Sequence, residues 1–116
     1  MKSENSKNML DIAIKALDEK KAIDLKAIDI SEISIIADYF IIVSGSNPSQ
    51  VHALCDNVSE KMSKAGYNTK KTEGYNNANW ILMDYGDIII HIFDKESRSF
   101  YDLERIWADG NDVSPN

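Results

Sequence analysis

Residues 80–93 have the sequence WILMDYGDIIIHIF, and this stretch decides the fold. Two runs rich in isoleucine and aromatic side chains, residues 80–84 and 87–93, flank Tyr85 and Gly86. Such runs favour β-strands, and a glycine between them tolerates the backbone angles that a tight turn requires. The stretch therefore predicts a tight antiparallel hairpin that turns at Gly86.

A second continuous apolar run, YFIIV at residues 39–43, lies upstream of the hairpin. A strand that is apolar at every position is covered on both faces, so it belongs in the middle of a sheet. We expect residues 39–43 and 88–93 to be neighbouring or central strands. Further strands are predicted at residues 25–30 and 67–73, with a short turn or helical piece at residues 33–37.

Apolar residues recur at helical spacing in three segments: near the N-terminus at residues 6–20, between Pro48 and Gly66, and at residues 97–108. Asn47 is a suitable N-cap for the second helix, Pro48 suits its first turn, and Gly66 is a natural stop. The first helix is expected to cover the sheet, and partner binding is its alternative role.

The predicted order is α-β-β-α-β-β-β-α, which gives an α/β fold with a mixed sheet of about five strands and helices packed on it. A chain of this length forms about one domain. We therefore expect a single domain at residues 1–116, with its core at about 9–109. Polar tails are predicted at both ends, and the tail from residue 109 onward is expected to fray.

Composition limits the classes of function. The net charge is −6, which argues against the basic surface of a protein that grips RNA or DNA, although an acidic protein can bind a basic protein held on nucleic acid. Cys55 is the only cysteine, which excludes a Cys-rich metal site. Apolar runs of five or six residues cannot span a bilayer, and the polar N-terminus is not a secretory signal. We expect a cytoplasmic protein.

Two places in the sequence could carry chemistry. Gly45 and Ser46 precede a predicted helix, whose first N–H groups can bind an anion, and a Gly-Ser pair also opens nucleotidyltransferase sites. Asp84 and Asp87 flank the hairpin turn and could hold a cation or perform acid–base work. No Walker, GxGxxG or DxD motif accompanies them. A plain loop and a solvated hairpin end are the alternatives, and Asp84 and Asp87 could also pair with a basic partner.

Aromatic and acidic side chains concentrate in the second half of the chain, a combination typical of interfaces, although core filling is the alternative for several of them. Trp80, Leu82 and Asp84 share one face of their strand, so a carboxylate ends an apolar stripe. His91 lies in the strongest strand without the companions that a metal ligand needs. We expect it to be hydrogen-bonded within or beside an interface.

Four segments resemble the ribosomal silencing factor family, also called Iojap-like: ADYFIIVSGS at 37–46, EGY at 73–75, the hairpin at 80–93, and RSFYDLERIWAD at 98–109. The resemblance covers residues from about 9 to 109, and the order and spacing of the last two segments are highly specific. It implies a small α/β domain similar to nucleotidyltransferases without their catalytic carboxylates. It also implies a protein that is not an enzyme and has no metal or cofactor.

The resemblance further implies a partner, the large ribosomal subunit, bound through ribosomal large-subunit protein fourteen. The bound domain would sterically block association with the small subunit and repress translation when nutrients are scarce. Little direct RNA contact and no membrane are expected, and a homodimer of the free protein is plausible. A degenerate nucleotidyltransferase-like nucleotide-binding enzyme is the alternative.

Eight residues match the family segments and combine aromatic or apolar area with charge, so they are predicted to bind the partner. They are Tyr75, Trp80, Leu82, Asp84, His91, Arg98, Tyr101 and Glu104.

Overall fold

The computed structural model describes residues 4–101 and 110–114, without the side chains of residues 99–101. Three helices and six strands lie in these ranges. They are α1 Glu4–Glu19, β1 Ile23–Asp29, β2 Tyr39–Gly45, α2 Pro48–Lys64, β3 Lys71–Glu73, β4 Trp80–Asp84, β5 Ile88–Asp94, α3 Lys95–Tyr101 and β6 Asn111–Asp112. Of the helices described, none has the length and apolar character to cross a membrane.

The strands form one mixed sheet in the order β3-β4-β5-β2-β1-β6. Strands β2 and β5 are parallel neighbours at its centre, in register from Tyr39 opposite Ile88 to Gly45 opposite Asp94. All seven residues of β2 are buried, as a strand covered on both faces must be. The prediction of a mixed sheet with these two strands adjacent is confirmed, and the sheet has six strands rather than about five.

The predicted hairpin is also confirmed. Strands β4 and β5 pair antiparallel, with Trp80 opposite Phe93 and Asp84 opposite Ile89. The N–H of Tyr85 donates to the carbonyl of Ile88 at 3.0 Å, which closes the turn. Gly86 has a φ of 87°, in the left-handed region where a side chain would be strained.

Two expectations about the sheet edges were wrong. The strand predicted at residues 67–73 begins only at Lys71, because the N–H of Tyr67 still caps the end of α2 by donating to the carbonyl of Met62. The tail expected to fray contains β6, whose polar residues Asn111 and Asp112 pair with β1. This pairing depends on the neighbouring strand edge and not on apolar periodicity, so the sequence pattern gave no sign of it.

Helices α1 and α2 cover one face of the sheet. Their buried side chains, among them Leu17, Leu54 and Met62, join strand residues such as Ile41 and Ile90 in the larger apolar core. Helix α2 starts as predicted, since the side chain of its N-cap Asn47 accepts a hydrogen bond from the N–H of Gln50 at 2.8 Å. We call this side of the sheet the helical face.

The opposite side, which we call the second face, carries a smaller cluster. Its buried members include Phe40 and Ile42 of β2 with Ile89 and Phe93 of β5, and the half-buried Trp80 and Leu82 of β4 pack against them. Because strand side chains alternate between faces, His91 lies on this side as well, between Ile89 and Phe93. The second face therefore combines apolar area with a histidine and a tryptophan.

Candidate functional site

The site is built on the second face around a bond between two of the predicted residues, Trp80 and His91. The indole Nε1–H of Trp80 donates to Nδ1 of His91 at 2.9 Å. The indole also stacks on Phe93, with ring centroids 5.2 Å apart and planes inclined by 25°. One hydrogen bond and one ring contact thus fix the orientation of a half-buried tryptophan, which is the side chain most favoured as an interface anchor.

His91 itself lies beneath the surface, with 4% of its area exposed. Burial lowers the pKa of its imidazole from the ordinary 6.5 to about 4, so the ring is neutral near pH 7. Because Nδ1 accepts from Trp80, the ring proton resides on Nε2, which has no hydrogen-bond partner within the described part of the chain. The expected hydrogen bond of His91 is confirmed, and its partner is Trp80.

Leu82 and Asp84 continue the β4 stripe toward the hairpin turn, and both are half-buried. Leu82 lies opposite His91 in the sheet register and packs against the second-face cluster. The carboxylate of Asp84 accepts a hydrogen bond from the N–H of Gly86 at 2.7 Å, so it also shapes the turn. Trp80, Leu82 and Asp84 therefore form one stripe with an acidic end.

Tyr75 is not part of this stripe. Its hydroxyl donates to Asp56 at 2.9 Å, its carbonyl contacts Nε2 of His52 at 2.6 Å, and its ring lies 4.5 Å from the His52 ring. The hydrogen bond with Asp56 raises the pKa of the Tyr75 hydroxyl. His52 and Asp56 belong to α2, which covers the helical face. The sequence placed Tyr75 near Trp80 along the chain, but the turn between them brings its side chain to α2.

Arg98 lies on α3 and is half-buried. Its Nη1 donates to the hydroxyl of Ser44 at 3.1 Å and to the carbonyl of Ile23 at 3.3 Å, which ties α3 to β2 and β1. Arg98 therefore lies at the end of the sheet where β4 begins, whereas Asp84 lies at the other end of β4. The side chain of Tyr101 and the whole of Glu104 lie outside the described residues.

The Gly45-Ser46 loop has a packing explanation. A Cβ at Gly45 would lie 2.8 Å from a side-chain carbon of Val51, so a glycine lets α2 approach β2 closely. The N–H and hydroxyl of Ser46 both donate to the side chain of Gln50, which also binds the carbonyl of Lys21. Both donors of Ser46 that could hold a phosphate are therefore engaged within the chain. Across residues 4–101 and 110–114, no three His, Cys, Asp or Glu side chains are grouped to hold a metal ion.

Sequence reasoning missed two parts of this region. Phe40 packs against His91 with ring centroids 4.8 Å apart, and only the β2–β5 register reveals that contact. The loop before β2 exposes Ile33, Ile35 and Ile36 to solvent, although the sequence predicted only a turn or helical piece there. Their apolar character in a predicted turn was the available signal.

Residues 3–116 match the family model described as "Ribosomal silencing factor during starvation". The ribosomal silencing factor RsfS of Bacillus subtilis is 42% identical over 105 residues, which cover 90% of this chain and 89% of that protein. A crystal structure from Bacillus halodurans superimposes with a TM-score of 0.84 at 34% identity, over 94% of this chain and 99% of that one.

A more distant relative is the mouse protein named mitochondrial assembly of ribosomal large subunit protein 1. It is 27% identical over 102 residues, which cover 85% of this chain and 45% of that protein. The family model spans nearly the whole chain, and the fold agrees with the solved relative over nearly its whole length. The chain belongs to the ribosomal silencing factor family, whose members are regulators of translation.

Proposed function

We propose that the protein represses translation by binding the large ribosomal subunit and sterically preventing the small subunit from joining it. Family membership supports a silencing role at the ribosome. The name of the mouse relative refers to the large ribosomal subunit, which favours that subunit as the target. A bound domain that occupies the joining surface blocks assembly without any chemical step, so the protein acts as a binding module in the cytoplasm and not as an enzyme.

The observation that carries this proposal is the stripe of Trp80, Leu82 and Asp84 on the second face. It offers an aromatic anchor, an adjoining aliphatic side chain and a carboxylate at the rim, which is the usual composition of a protein–protein interface. The buried His91 supports this anchor. Its Nδ1 accepts the hydrogen bond from Nε1–H of Trp80 and so holds the indole in one orientation. A pre-oriented anchor loses less side-chain entropy on binding.

Charge selects the kind of partner. A protein of net charge −6 is repelled by the phosphate backbone of ribosomal RNA and attracted to the basic proteins bound on it. We propose that the stripe contacts ribosomal large-subunit protein fourteen, with little direct contact to RNA. Asp84 then faces a basic group of that protein across the rim of the interface.

Purified large subunits provide the direct test. The protein should co-sediment with large subunits and not with small ones, and it should inhibit formation of joined ribosomes as its concentration rises. Glu60→Ala is a matched control, because Glu60 is an exposed residue of α2 that forms a surface ion pair with Lys64. Binding to small subunits alone, or joined ribosomes at undiminished yield with the protein bound, would overturn the proposal.

Nucleotide titration separates this proposal from the enzyme alternative. Calorimetry with ATP or GTP and Mg²⁺ should give no heat of specific binding, because the donors of Ser46 are engaged by Gln50. Specific nucleotide binding at micromolar concentration, lost in Asp84→Ala, would instead support the degenerate nucleotidyltransferase.

A further inference from the structure

The loop that connects β1 to β2 carries a concentration of exposed aliphatic area. Five large hydrophobic side chains are exposed in the part of the chain that the structure describes, and three of them are Ile33, Ile35 and Ile36. Ile35 is fully exposed, and Ile36 is 62% exposed. We call residues 31–36 the isoleucine loop. Neighbouring exposed apolar residues of this kind mark interaction sites more often than isolated ones do.

The backbone of the isoleucine loop is held in place by its own hydrogen bonds. The N–H and hydroxyl of Ser31 both donate to Asp29, at 3.0 Å and 2.6 Å. The N–H groups of Ile33 and Ser34 donate to the carbonyl of Ile30, and the hydroxyl of Ser34 accepts from the N–H of Ile36 at 3.1 Å. The loop thus presents its isoleucines from a formed turn.

The isoleucine loop is continuous with the second face. Ile30 and Ala37, which bracket it, are both buried in the second-face cluster that Trp80 and Leu82 join. At its far end, the N–H of Asp38 donates to the carbonyl of Asp87 at 2.7 Å. The loop therefore lies at the hairpin-turn end of the sheet, where the Trp80–Leu82–Asp84 stripe ends.

The charges around the isoleucine loop are predominantly acidic. Glu32 is exposed within it, and Asp84 and Asp87 are half-exposed at the adjoining turn. No lysine or arginine occurs between residues 27 and 60. Two cations adjoin this end among the described residues: Lys70, whose side chain lies close to Gly86, and Lys71, which lies opposite Asp84 in the β3–β4 register and is ion-paired with Glu73. An apolar tip with an acidic rim complements a partner surface that has an apolar depression among basic side chains.

We propose that the isoleucine loop is a second anchor of the same docking surface and inserts into a basic protein surface of the large ribosomal subunit. This inference rests on the proposed function and extends its interface beyond the β4 stripe. Ile35 and Ile36 are the inserting side chains, because they are the most exposed. Glu32 and Asp87 flank them toward basic groups of the partner.

The test compares large-subunit binding by three variants with that of the unaltered protein. The double variant Ile35→Ser with Ile36→Ser should bind purified large subunits about tenfold more weakly, because two apolar anchors are lost. Its thermal unfolding should be unchanged, since neither side chain is buried. Val113→Ser is the matched control: it removes an exposed aliphatic side chain beside β6, at the sheet edge next to β1, and should bind as the unaltered protein does. Trp80→Ala reports on the β4 stripe.

The outcomes separate the two proposals. Weaker binding by both the double variant and Trp80→Ala supports the inference. Unaltered binding by the double variant, with weaker binding by Trp80→Ala, overturns the inference and leaves the proposed function intact. If every variant binds equally well, the docking surface itself is wrong. Sedimentation equilibrium of the free proteins adds one more outcome: a homodimer dissociated by the double variant, with large-subunit binding intact, assigns the loop to self-association and overturns the inference.

Discussion

The two faces of the sheet have different compositions. On the helical face, α1 and α2 close over the larger apolar core, and the buried polar side chains of Ser6 and Asn57 on these helices donate hydrogen bonds to Asp38 and to the carbonyl of Ala16. On the second face, a neutral histidine is buried among aromatic rings, and a tryptophan and a leucine remain partly exposed. Within residues 4–101 and 110–114, Nε2–H of this histidine has no hydrogen-bond partner, which costs stability that a purely structural face would retain. We therefore propose that the helical face mainly supplies stability and that the second face supplies recognition.

The largest expected effect is on the helical face. Leu54 is fully buried there, so Leu54→Ala should lower the free energy of unfolding by about 3 kcal/mol through lost apolar contact and a residual cavity. Urea denaturation measures the change. Large-subunit affinity, corrected for the folded fraction, should stay the same. A stable Leu54→Ala protein with impaired binding would break the division between the faces.

Lowering the pH should destabilise the protein through His91, which is buried on the second face. His91 has its pKa lowered by burial from 6.5 to about 4, so the unfolded chain binds more protons than the folded chain between these values. Stability is therefore complete above pH 6.5 and falls as the pH drops toward 4, by a total of about 3 kcal/mol from this group.

His91→Gln provides the control, because glutamine does not titrate. Urea denaturation from pH 7 to pH 4.5 should show a steeper loss of stability in the unaltered protein than in His91→Gln. Parallel curves would mean that His91 is not buried in its neutral form, and the contrast between the faces would weaken.

The same contrast explains what could be predicted from the sequence. The central strands and the hairpin followed from local signals, namely uninterrupted apolar runs and the glycine at residue 86. The faces shared by Trp80, Leu82 and His91 followed from the alternation of strand residues. The helices of the helical face followed from the periodicity of apolar residues and from the N-cap residue Asn47.

Other features depend on contacts between distant segments. The bond from Trp80 to His91 requires the β4–β5 register, and the attachment of Tyr75 to Asp56 requires the packing of α2. Strand β6 is polar, so only its pairing with β1 defines it. Local helix and strand propensity contains no information on such contacts. For the same reason it gave the wrong start for the strand that was expected to begin at Tyr67.

Substitution of Asp84, the carboxylate at the rim of the second-face stripe, gives a further test of partner binding. Asp84→Lys should weaken large-subunit binding more than tenfold, about 1.4 kcal/mol, by placing like charges opposite each other. Asp84→Asn is the control: its side-chain oxygen can still accept from the N–H of Gly86, so the turn is kept while the charge is lost. Its effect should be intermediate.

The dependence of the association rate on salt concentration tests the same role of Asp84. Association of the unaltered protein should slow as ionic strength rises, since added salt screens the attraction over about 8–10 Å. Stopped-flow measurements with Asp84→Asn should give a shallower salt dependence. An association rate that is indifferent to salt would count against an acidic docking face.

The smallest expected effect is at the start of α2, one of the helices that cover the helical face. Asn47→Ala removes the side chain that accepts from the N–H of Gln50 at the start of α2, and it should cost about 1 kcal/mol of stability. Thermal unfolding monitored by circular dichroism measures it. Binding to large subunits should be unaffected. A loss of binding without a loss of stability would extend the recognition surface to the start of α2.

We propose that the second face recognises the large subunit, and the variant Trp80→Ala is the sharpest test of this role. Affinity for purified large subunits and thermal stability should be measured on the same preparation, with Trp80→Phe to separate ring area from the hydrogen bond to His91. We expect a folded Trp80→Ala protein that binds at least about tenfold more weakly and no longer blocks subunit joining. A stable Trp80→Ala protein that binds and blocks joining as the unaltered protein does would contradict it.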